Sequence, residues 1–408
     1  RVAHYCGKKC QEAAWRSHHR AECGDAALAL ERAVAAAGLL GAGACSDGLL
    51  AGRCLRTTAA AAGGHSASGR EAPDSGALAD LEALGDRMNG SEAERLSRLA
   101  RAVASVPKLL PPGIGPEDVV ATLSRFRNNN FAIVDDLFVS VGAGVFPTGA
   151  SLNHSCAPNC LLTYGLREGQ PPVQIVRAMV SIAEGEELTH SYVDLAFPAW
   201  QRQAQLRETY GFDCACALCA GGGRAALDAQ LVAGVEGSTG GAICEDLAAD
   251  GAEGRCPLTT ASPCPEREKD LERARHLIAA AAPEEDPERE LGLLEEACEL
   301  RGRWLHRRHL AVLASHAAAH TAAMAAGDFH AAERHCGRLV EQYIEVYPPW
   351  HPISGLQMYT LAELKQGRGA DDEARGWYRR ALRILALTHG EDHRLVEGLR
   401  CRLEELGA

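Results

Sequence analysis

The sequence lacks three features that would assign it to a membrane, to secretion or to nucleic acid. No run approaches the about 20 apolar residues that a membrane span requires, and no secretory signal opens the sequence. Basic residues are in the minority, since 42 Lys and Arg stand against 54 Asp and Glu and give a formal net charge of −12. This balance argues against a general binder of nucleic acid or anionic membranes and favours basic substrates.

The cysteines are too sparse for a disulfide-stapled scaffold. There are 16 in 408 residues, and several come in short-spaced groups, such as Cys6 with Cys10 and the triplet Cys214, Cys216 and Cys219. Without a secretory signal, metal thiolates are favoured over disulfides. We therefore expect a reducing compartment, the nucleus or the cytosol.

The composition is that of a folded chain, with 46% hydrophobic and 24% charged residues. At about 150 residues per domain, the length predicts two or three domains. Helices are predicted at 26–40, 77–106, 199–211 and from about 268 onward, and β-strands between 131 and 192. Two Gly/Ala/Ser-rich stretches, 45–76 and 220–265, have no clear period and are predicted to be irregular insertions.

An internal echo marks the helical C-terminal part. Gly327-Asp328-Phe329 precedes His351, and Gly369-Ala370-Asp371 precedes His393, so that corresponding positions lie 42 residues apart. A fixed period of this kind is typical of stacked helix pairs, as in tetratricopeptide repeats, although their usual period is about 34. A plain helical bundle is the alternative.

The first candidate metal constellation lies at the start of the sequence. Cys6 and Cys10, and again His19 and Cys23, are spaced by four residues, so each pair can bind one zinc ion from a single helical turn. His18 competes with His19 as a ligand. A basic amphipathic helix with incidental cysteines is the alternative interpretation.

The second constellation consists of three blocks. Asn153-His154-Ser155-Cys156 runs on to Cys160, a later block ends in Leu188-Thr189-His190-Ser191-Tyr192, and the last runs from Phe212 to Cys214, Cys216 and Cys219. Three thiolates need one more for a closed structural zinc site, and Cys156 or Cys160 can supply it. Taken alone, Asn153-His154 fits a capped turn and Tyr192 fits an ordinary core position.

Together these blocks resemble the catalytic half of a SET domain with its post-SET cysteines. The first constellation is similar to the second half of a MYND zinc finger, so the chain resembles the SET and MYND domain (SMYD) lysine methyltransferases. The resemblance implies an α+β fold with a SET core and a tetratricopeptide-like C-terminal domain. The implied parts are 1–24 (half finger), 25–124 (helical, with an insertion), 125–220 (SET and post-SET), 221–267 (linker) and 268–408 (helical).

The resemblance also assigns roles residue by residue. Asn129, Asn153, His154 and Phe212 match residues that contact S-adenosylmethionine, and the segment of Asn153 would thread beneath the strand that ends at Tyr192. Tyr192 matches the catalytic tyrosine and also contacts the cofactor. The implied zinc ligands are Cys156, Cys214, Cys216 and Cys219 in the post-SET site, and Cys6, Cys10, His19 and Cys23 in the finger.

The implied function is methyl transfer from S-adenosylmethionine to a lysine of a histone tail or another protein. The family's Gly-x-Gly cofactor loop and the first half of its finger precede the finger half seen here, so we expect them to lie ahead of Arg1, and Gly142-Ala143-Gly144 is not that loop. The rival hypothesis is an inactive, zinc-stabilised scaffold whose helical domain binds chaperones or peptides. Nucleic-acid contact by the basic finger residues is a weaker expectation, and no membrane partner is expected.

Overall fold

The computed structural model describes residues 8–23, 25–39, 42–62, 90–165, 172–235, 243 and 264–407. The chain divides into two compact units. The first comprises Arg1–Asp135, Val139–Asn153 and Leu162–Val176, and the second comprises Asp136–Phe138, His154–Leu161 and Arg177–Ala408. None of the described helices combines the length and apolarity required to cross a bilayer.

The helices of the N-terminal half and of the β-rich region are short to medium in length. They are α1 (Lys8–Ala14), α2 (Arg20–Glu22), α3 (Asp25–Ala36), α4 (Ala42–Ala62), α5 (Gly90–Ala104), α6 (Pro116–Asn129), α7 (Pro147–Ala150), α8 (Ala199–Tyr210), α9 (Ala217–Ala220) and α10 (Ala225–Gln230). A π-helical turn, Trp15–His19, separates the first two. Helices α3 and α8 confirm the predictions at 26–40 and 199–211, and α5 confirms the described part of that at 77–106.

The strands lie where the β-rich texture predicted them and form three two-stranded sheets. They are β1 (Asn130–Val134), β2 (Ser140–Val145), β3 (Asn153–His154), β4 (Cys160–Gly165), β5 (Val173–Ala178) and β6 (Thr189–His190). β1 pairs with β2, β3 with β6 and β4 with β5. β6 ends at His190. The expectation that this strand ends at Tyr192 is therefore wrong, because Tyr192 lies two residues beyond it.

The prediction of an irregular insertion at 45–76 is wrong for residues 45–62, which belong to α4. Its small residues form one buried face: Ala51 is fully buried, and a Cβ on Gly48 would lie 2.9 Å from Val103 Cγ2. Arg53 and Arg56 also pair with the buried Glu22, at 2.7 Å each. The small side chains therefore permit close helix packing, which their composition alone does not reveal. Residues 63–76 lie outside the described part of the chain.

The prediction of an irregular insertion at 220–265 is also wrong for the residues near its start. Residues 225–230 form α10, and Leu231 and Val232 behind it are almost fully buried. The carbonyl of Leu231 accepts a hydrogen bond from the backbone N–H of Leu310, at 3.0 Å. This segment is therefore a packed part of the second unit.

The C-terminal part is helical, as predicted, and each helix contacts the next. The helices are α11 (Pro265–Ala281), α12 (Pro287–Trp304), α13 (Leu310–Ala326), α14 (Phe329–Val346), α15 (Pro352–Gly367), α16 (Asp371–His389) and α17 (Arg394–Glu405). The 42-residue echo coincides with equivalent structural positions: Gly327 and Gly369 both adopt positive φ before a helix, and His351 and His393 both stand at the N-cap position of the helix that follows. Only the His393 side chain accepts a capping hydrogen bond, from the Leu395 backbone N–H.

The close approach of α15 and α16 gives a stability prediction. A Cβ on Gly355 would lie 2.9 Å from Ile384 Cγ2 and 3.0 Å from Leu385 Cδ2, so Gly355→Ala is expected to lower the free energy of unfolding by about 1–3 kcal/mol. Gly376→Ala on α16 is the matched control, because its Cβ meets nothing within 4 Å and alanine favours a helix by about 0.5–1 kcal/mol. Urea unfolding measures both, and stabilisation by Gly355→Ala would contradict the packing.

Candidate functional site

Four thiols come together in the second unit, and we call them the four-thiol cluster: Cys156, Cys214, Cys216 and Cys219. Their sulfur atoms all lie within 4.8 Å of one another, and the Cys219 and Cys156 sulfurs are 3.6 Å apart. Four thiolates at this separation fit the tetrahedral, fully coordinated structural zinc sites of proteins. Cys160, the alternative fourth ligand in the sequence, is buried but lies outside this cluster.

The local fold explains why the Cys-x-Cys-x-x-Cys segment closes on itself. Helix α8 ends at Gly211, whose φ of 74° is the left-handed conformation that favours glycine. The Gln203 side chain then holds the Cys214 backbone in both directions, donating to its carbonyl at 2.7 Å and accepting from its N–H at 2.8 Å. Cys216 follows as the N-cap of α9, which carries Cys219.

The hydrogen bonds in the cluster favour a thiolate at Cys216. Burial alone would raise the pKa of this thiol, but donors from the Cys219 backbone, the Cys214 side chain and the Cys156 backbone outweigh it and lower the pKa to about 6. Burial raises the pKa of Cys156 and of Cys219. A bound divalent cation would favour the ionised form of all four.

Sequence reasoning missed a buried charge network next to these thiols. The Arg202 side chain is fully buried, and its Nε donates to the Cys156 sulfur at 3.3 Å. Arg224 donates to the carbonyls of Ala196 and Phe197, at 3.3 and 3.2 Å, and pairs with Asp228 at 2.9 Å. The network connects the thiols to the segment that follows Tyr192. No local pattern signals it, because its members lie in three separate elements.

His154 connects the cluster to Tyr192. The Tyr192 backbone N–H donates to His154 Nδ1 at 2.9 Å, and His154 Nε2 lies 3.3 Å from the Cys156 sulfur. Burial, with the charges of His190 and Arg202, lowers the pKa of His154 to about 4. The ring is therefore neutral at pH 7, and since Nδ1 accepts, Nε2 carries the proton and donates it to the sulfur. The His154 imidazole therefore fixes the positions of both the Tyr192 backbone and the Cys156 sulfur.

Four aromatic rings surround Tyr192, and with it they form what we call the ring cluster: His154, His190, Tyr192, Tyr210 and Phe212. The Tyr192 ring centroid lies 4.7 Å from that of Tyr210, 4.8 Å from His190 and 5.3 Å from His154, and it meets Phe212 edge to face at 6.4 Å. The negative faces of aromatic rings attract cations. The structure thus brings three of the predicted cofactor residues, His154, Tyr192 and Phe212, together.

Tyr192 holds its proton firmly. Burial, with contributions from Tyr210 and Glu187, raises the pKa of its phenol to about 12. The hydroxyl is consequently neutral at physiological pH, where it can both donate and accept a hydrogen bond. Burial also lowers the pKa of His190 to about 4. The ring cluster is therefore uncharged, polar at its edges and apolar on its faces.

Asn129 and Asn153, the other predicted cofactor contacts, belong to the first unit. Asn129 is the last residue of α6, and its side-chain amide donates to the Arg125 carbonyl at 2.7 Å. Asn153 is exposed in β3. Gly142 and Gly144 lie in β2, paired with β1; that they are not the cofactor loop stays a prediction.

The finger ligands are described only in part. His19 packs its ring 5.9 Å from that of Trp15 and accepts, through its carbonyl, a 2.7 Å hydrogen bond from the backbone N–H of the exposed Cys23. Cys6 and the Cys10 side chain lie outside the described residues. The predicted zinc site of the finger therefore stays a prediction.

Comparison with known proteins gives a family-model match, several relatives and a match among solved structures. The family model described as "SET domain" matches residues 86–193. Histone-lysine N-methyltransferase SMYD3 of Mus musculus is 26% identical over 416 residues, covering 100% of this chain and 84% of that protein. Histone-lysine N-methyltransferase ASHR1 of Arabidopsis thaliana is 27% identical over 349 residues, covering 80% and 69%. Human N-lysine methyltransferase SMYD2 is 36% identical over 103 residues, covering 25% and 23%.

Among solved structures, a Podosopora anserina putative kinesin light chain with nearly identical TPR-like repeats matches 36% of this chain and 67% of its own length, at 21% identity and a TM-score of 0.26. The SET match contains Asn153, His154 and Tyr192, and similarity to a SMYD3 protein extends over the whole chain. The chain is therefore similar to SET-domain proteins of the SET and MYND domain type, with its SET-domain match over residues 86–193.

Proposed function

We propose that this protein is an S-adenosylmethionine-dependent protein-lysine N-methyltransferase. The observation that carries the proposal is the placement of Tyr192: a neutral phenol inside a cluster of aromatic rings, within the region that matches the SET domain. The similarity over 80% and 100% of this chain to proteins named histone-lysine N-methyltransferases supports the same conclusion.

The reaction requires a neutral lysine amine aligned with the methyl donor. Lysine in water is protonated, with a pKa of about 10.4, and a desolvated site favours loss of that proton. S-adenosylmethionine, when bound, supplies the methyl group from a cationic sulfonium. The Tyr192 hydroxyl would orient the amine lone pair, and the faces of Tyr210 and Phe212 would tolerate the methylammonium product. Alignment and exclusion of water supply most of the catalysis.

We assign cofactor contacts to Asn129, Asn153, His154 and Phe212 on the strength of the motif match. The half-buried His154 and Phe212, with ring centroids 6.1 Å apart, provide apolar surface suited to a sulfonium or an adenine ring. The four-thiol cluster would bind a structural zinc ion, because its donor set leaves no open coordination position for a water. Zinc would fix one wall of the site through Cys156 and His154.

The substrate is proposed to be a basic protein segment, from a histone tail or another protein. The net charge of −12 favours attraction of such segments at low salt. The twelve cysteines whose side chains the structure describes are free thiols, which is consistent with activity in the nucleus or cytosol. A chaperone or peptide partner at the helical region stays a prediction.

The test is transfer of labelled methyl groups. Purified protein is incubated with S-adenosylmethionine that carries a tritiated methyl group and with core histones, with an acidic protein of similar lysine content as the control. Calorimetric titration with S-adenosylhomocysteine is run in parallel. We expect cofactor binding and lysine labelling of histones. Protein that neither binds nor labels would contradict the enzyme and favour the scaffold.

A further inference from the structure

A second group of metal-type ligands lies in the helical region, outside the SET match. Cys298 on α12, His316 on α13 and His335 on α14 have ligand atoms within 4.8 Å of one another, and we call them the helical Cys-His cluster. They come from three consecutive helices, 18 and 19 residues apart. The four-thiol cluster and the ring cluster share no residue with it.

The two imidazoles face each other directly. His316 Nδ1 and His335 Nδ1 are 2.9 Å apart, so one of these nitrogens must carry a proton that the other accepts. Burial, with nearby charges, lowers the pKa of both rings to about 4, and both are neutral at pH 7. If a cation replaced this shared proton, the Nδ1 lone pairs of His316 and His335 would both point at the cation.

The spacing fits a tetrahedral ion. With metal–nitrogen bonds of about 2.0–2.1 Å and a metal–sulfur bond of about 2.3 Å, the ligand atoms of such a site lie about 3.3–3.8 Å apart. The two Nδ1 atoms would have to separate by about half an ångström. The Cys298 sulfur would have to move toward them by at most about one ångström. Rotation of side chains on three packed helices can supply movements of this size.

The surroundings of His335 resemble those of metal-bound histidines. His335 is buried, and its Nε2 makes no hydrogen bond within the described chain but lies 3.6 Å from Glu295 Oε1. Metal-bound histidines commonly present their second nitrogen to a carboxylate in this way. His320 is not part of the cluster, and its Nδ1 lies 3.1 Å from the Ala332 carbonyl oxygen.

A cavity provides access to the cluster. Its volume is about 510 Å³, and both Cys298 and His316 line it, together with Arg338 and Glu341. A cation entering through it would meet the thiol and one imidazole first, and a water could occupy the fourth coordination position. Burial raises the pKa of the Cys298 thiol to about 12, although the Arg301 guanidinium one turn away acts against this, so a bound cation would have to favour the thiolate.

We propose that Cys298, His316 and His335 bind one zinc ion that joins α12, α13 and α14, with a fourth coordination position open to the cavity. Three bonds form, to one sulfur and two nitrogens. The Cys298 S–H bond breaks and releases its proton to solvent, and the Nδ1 proton shared by the imidazoles moves through solvent to Nε2 of the ring that carried it, so that both rings stay neutral and each Nδ1 offers a lone pair. Such an ion would stabilise the helical region in the way that structural zinc stabilises small domains.

The experiment counts metal ions in the full chain. Wild-type protein and the variants Cys298→Ser and His316→Gln are equilibrated with zinc buffered at a nanomolar free concentration and weighed by native mass spectrometry. Each variant is expected to bind one ion fewer than wild type. Cys401→Ser, which removes an exposed thiol on α17, and His320→Gln are the matched controls and should bind as many ions as wild type.

A second measurement identifies the ligands. Cobalt substituted for zinc shows a thiolate-to-metal absorption band, and one equivalent of that band should disappear in Cys298→Ser. Circular dichroism checks folding, and if Cys298→Ser does not fold, the half-buried His316→Gln decides the matter. Equal ion counts in wild type and His316→Gln would overturn the proposal and leave the two histidines as a buried hydrogen-bonded pair.

Discussion

Replacing Tyr192 with Phe is expected to lower the rate of lysine methylation about 100-fold and to leave the affinity for S-adenosylhomocysteine within about twofold. The change removes one hydroxyl and keeps the ring, so the packing against Tyr210, His190 and His154 is retained. The backbone N–H that donates to His154 is also unaffected. Loss of rate would then report the hydroxyl alone.

The dependence of rate on pH distinguishes positioning from base catalysis. With a pKa of about 12, Tyr192 stays protonated throughout the assay range, so it cannot serve as the group whose ionisation limits the reaction. The rate constant kcat/KM should rise between pH 7 and 9 as the substrate lysine loses its proton. Wild type and Tyr192→Phe should show profiles of the same shape, displaced by the factor of about 100.

Steady-state kinetics with a histone peptide and calorimetry with S-adenosylhomocysteine measure both effects. Tyr359→Phe is the matched control, since it deletes the same hydroxyl from a tyrosine in the C-terminal helices and should leave the rate unchanged. Equal activity of Tyr192→Phe and wild type would refute the catalytic role. A larger loss in Tyr210→Phe would move that role to the neighbouring phenol.

Local patterns in the sequence predicted elements of both units. Helix α8, the strands between 131 and 192 and the C-terminal helices follow from periodicity, breakers and caps, which act within a few residues. The thiols of the Cys214 to Cys219 segment are close in space because they are close in sequence. The spacing alone left Cys156 and Cys160 open as their partner, the family resemblance implied Cys156, and the structure places Cys156 with the other three thiols.

The failures share one physical cause, which is long-range packing. Helix α4 is stabilised by contacts that glycine and alanine permit, such as Gly48 against Val103, so its composition resembles that of a linker. Arg202 and Arg224 are buried because distant carbonyls and Asp228 receive their hydrogen bonds. Cys298, His316 and His335 are 18 and 19 residues apart, a spacing that no local metal motif contains.

Cys216→Ser is expected to remove one zinc ion and to lower the free energy of unfolding of the segment around the four-thiol cluster by several kcal/mol. Binding of structural zinc contributes about 10 kcal/mol or more, and this energy stabilises the folded form. A serine hydroxyl does not ionise at neutral pH, whereas hydrogen bonds favour the thiolate of Cys216. Three remaining thiols would retain the ion only weakly.

The loss should extend to methylation, because Cys156 of the same cluster holds His154, which holds the Tyr192 backbone. Mass spectrometry measures the zinc content, limited proteolysis near residue 216 measures the stability of the segment, and the methyl-transfer rate measures the effect on catalysis. Cys160→Ala is the matched control: it removes a buried thiol from the same region but outside the cluster, and it should retain zinc. Unchanged zinc in Cys216→Ser would exclude this ligand, and loss of zinc in Cys160→Ala would show that the fourth ligand is Cys160 and not Cys156.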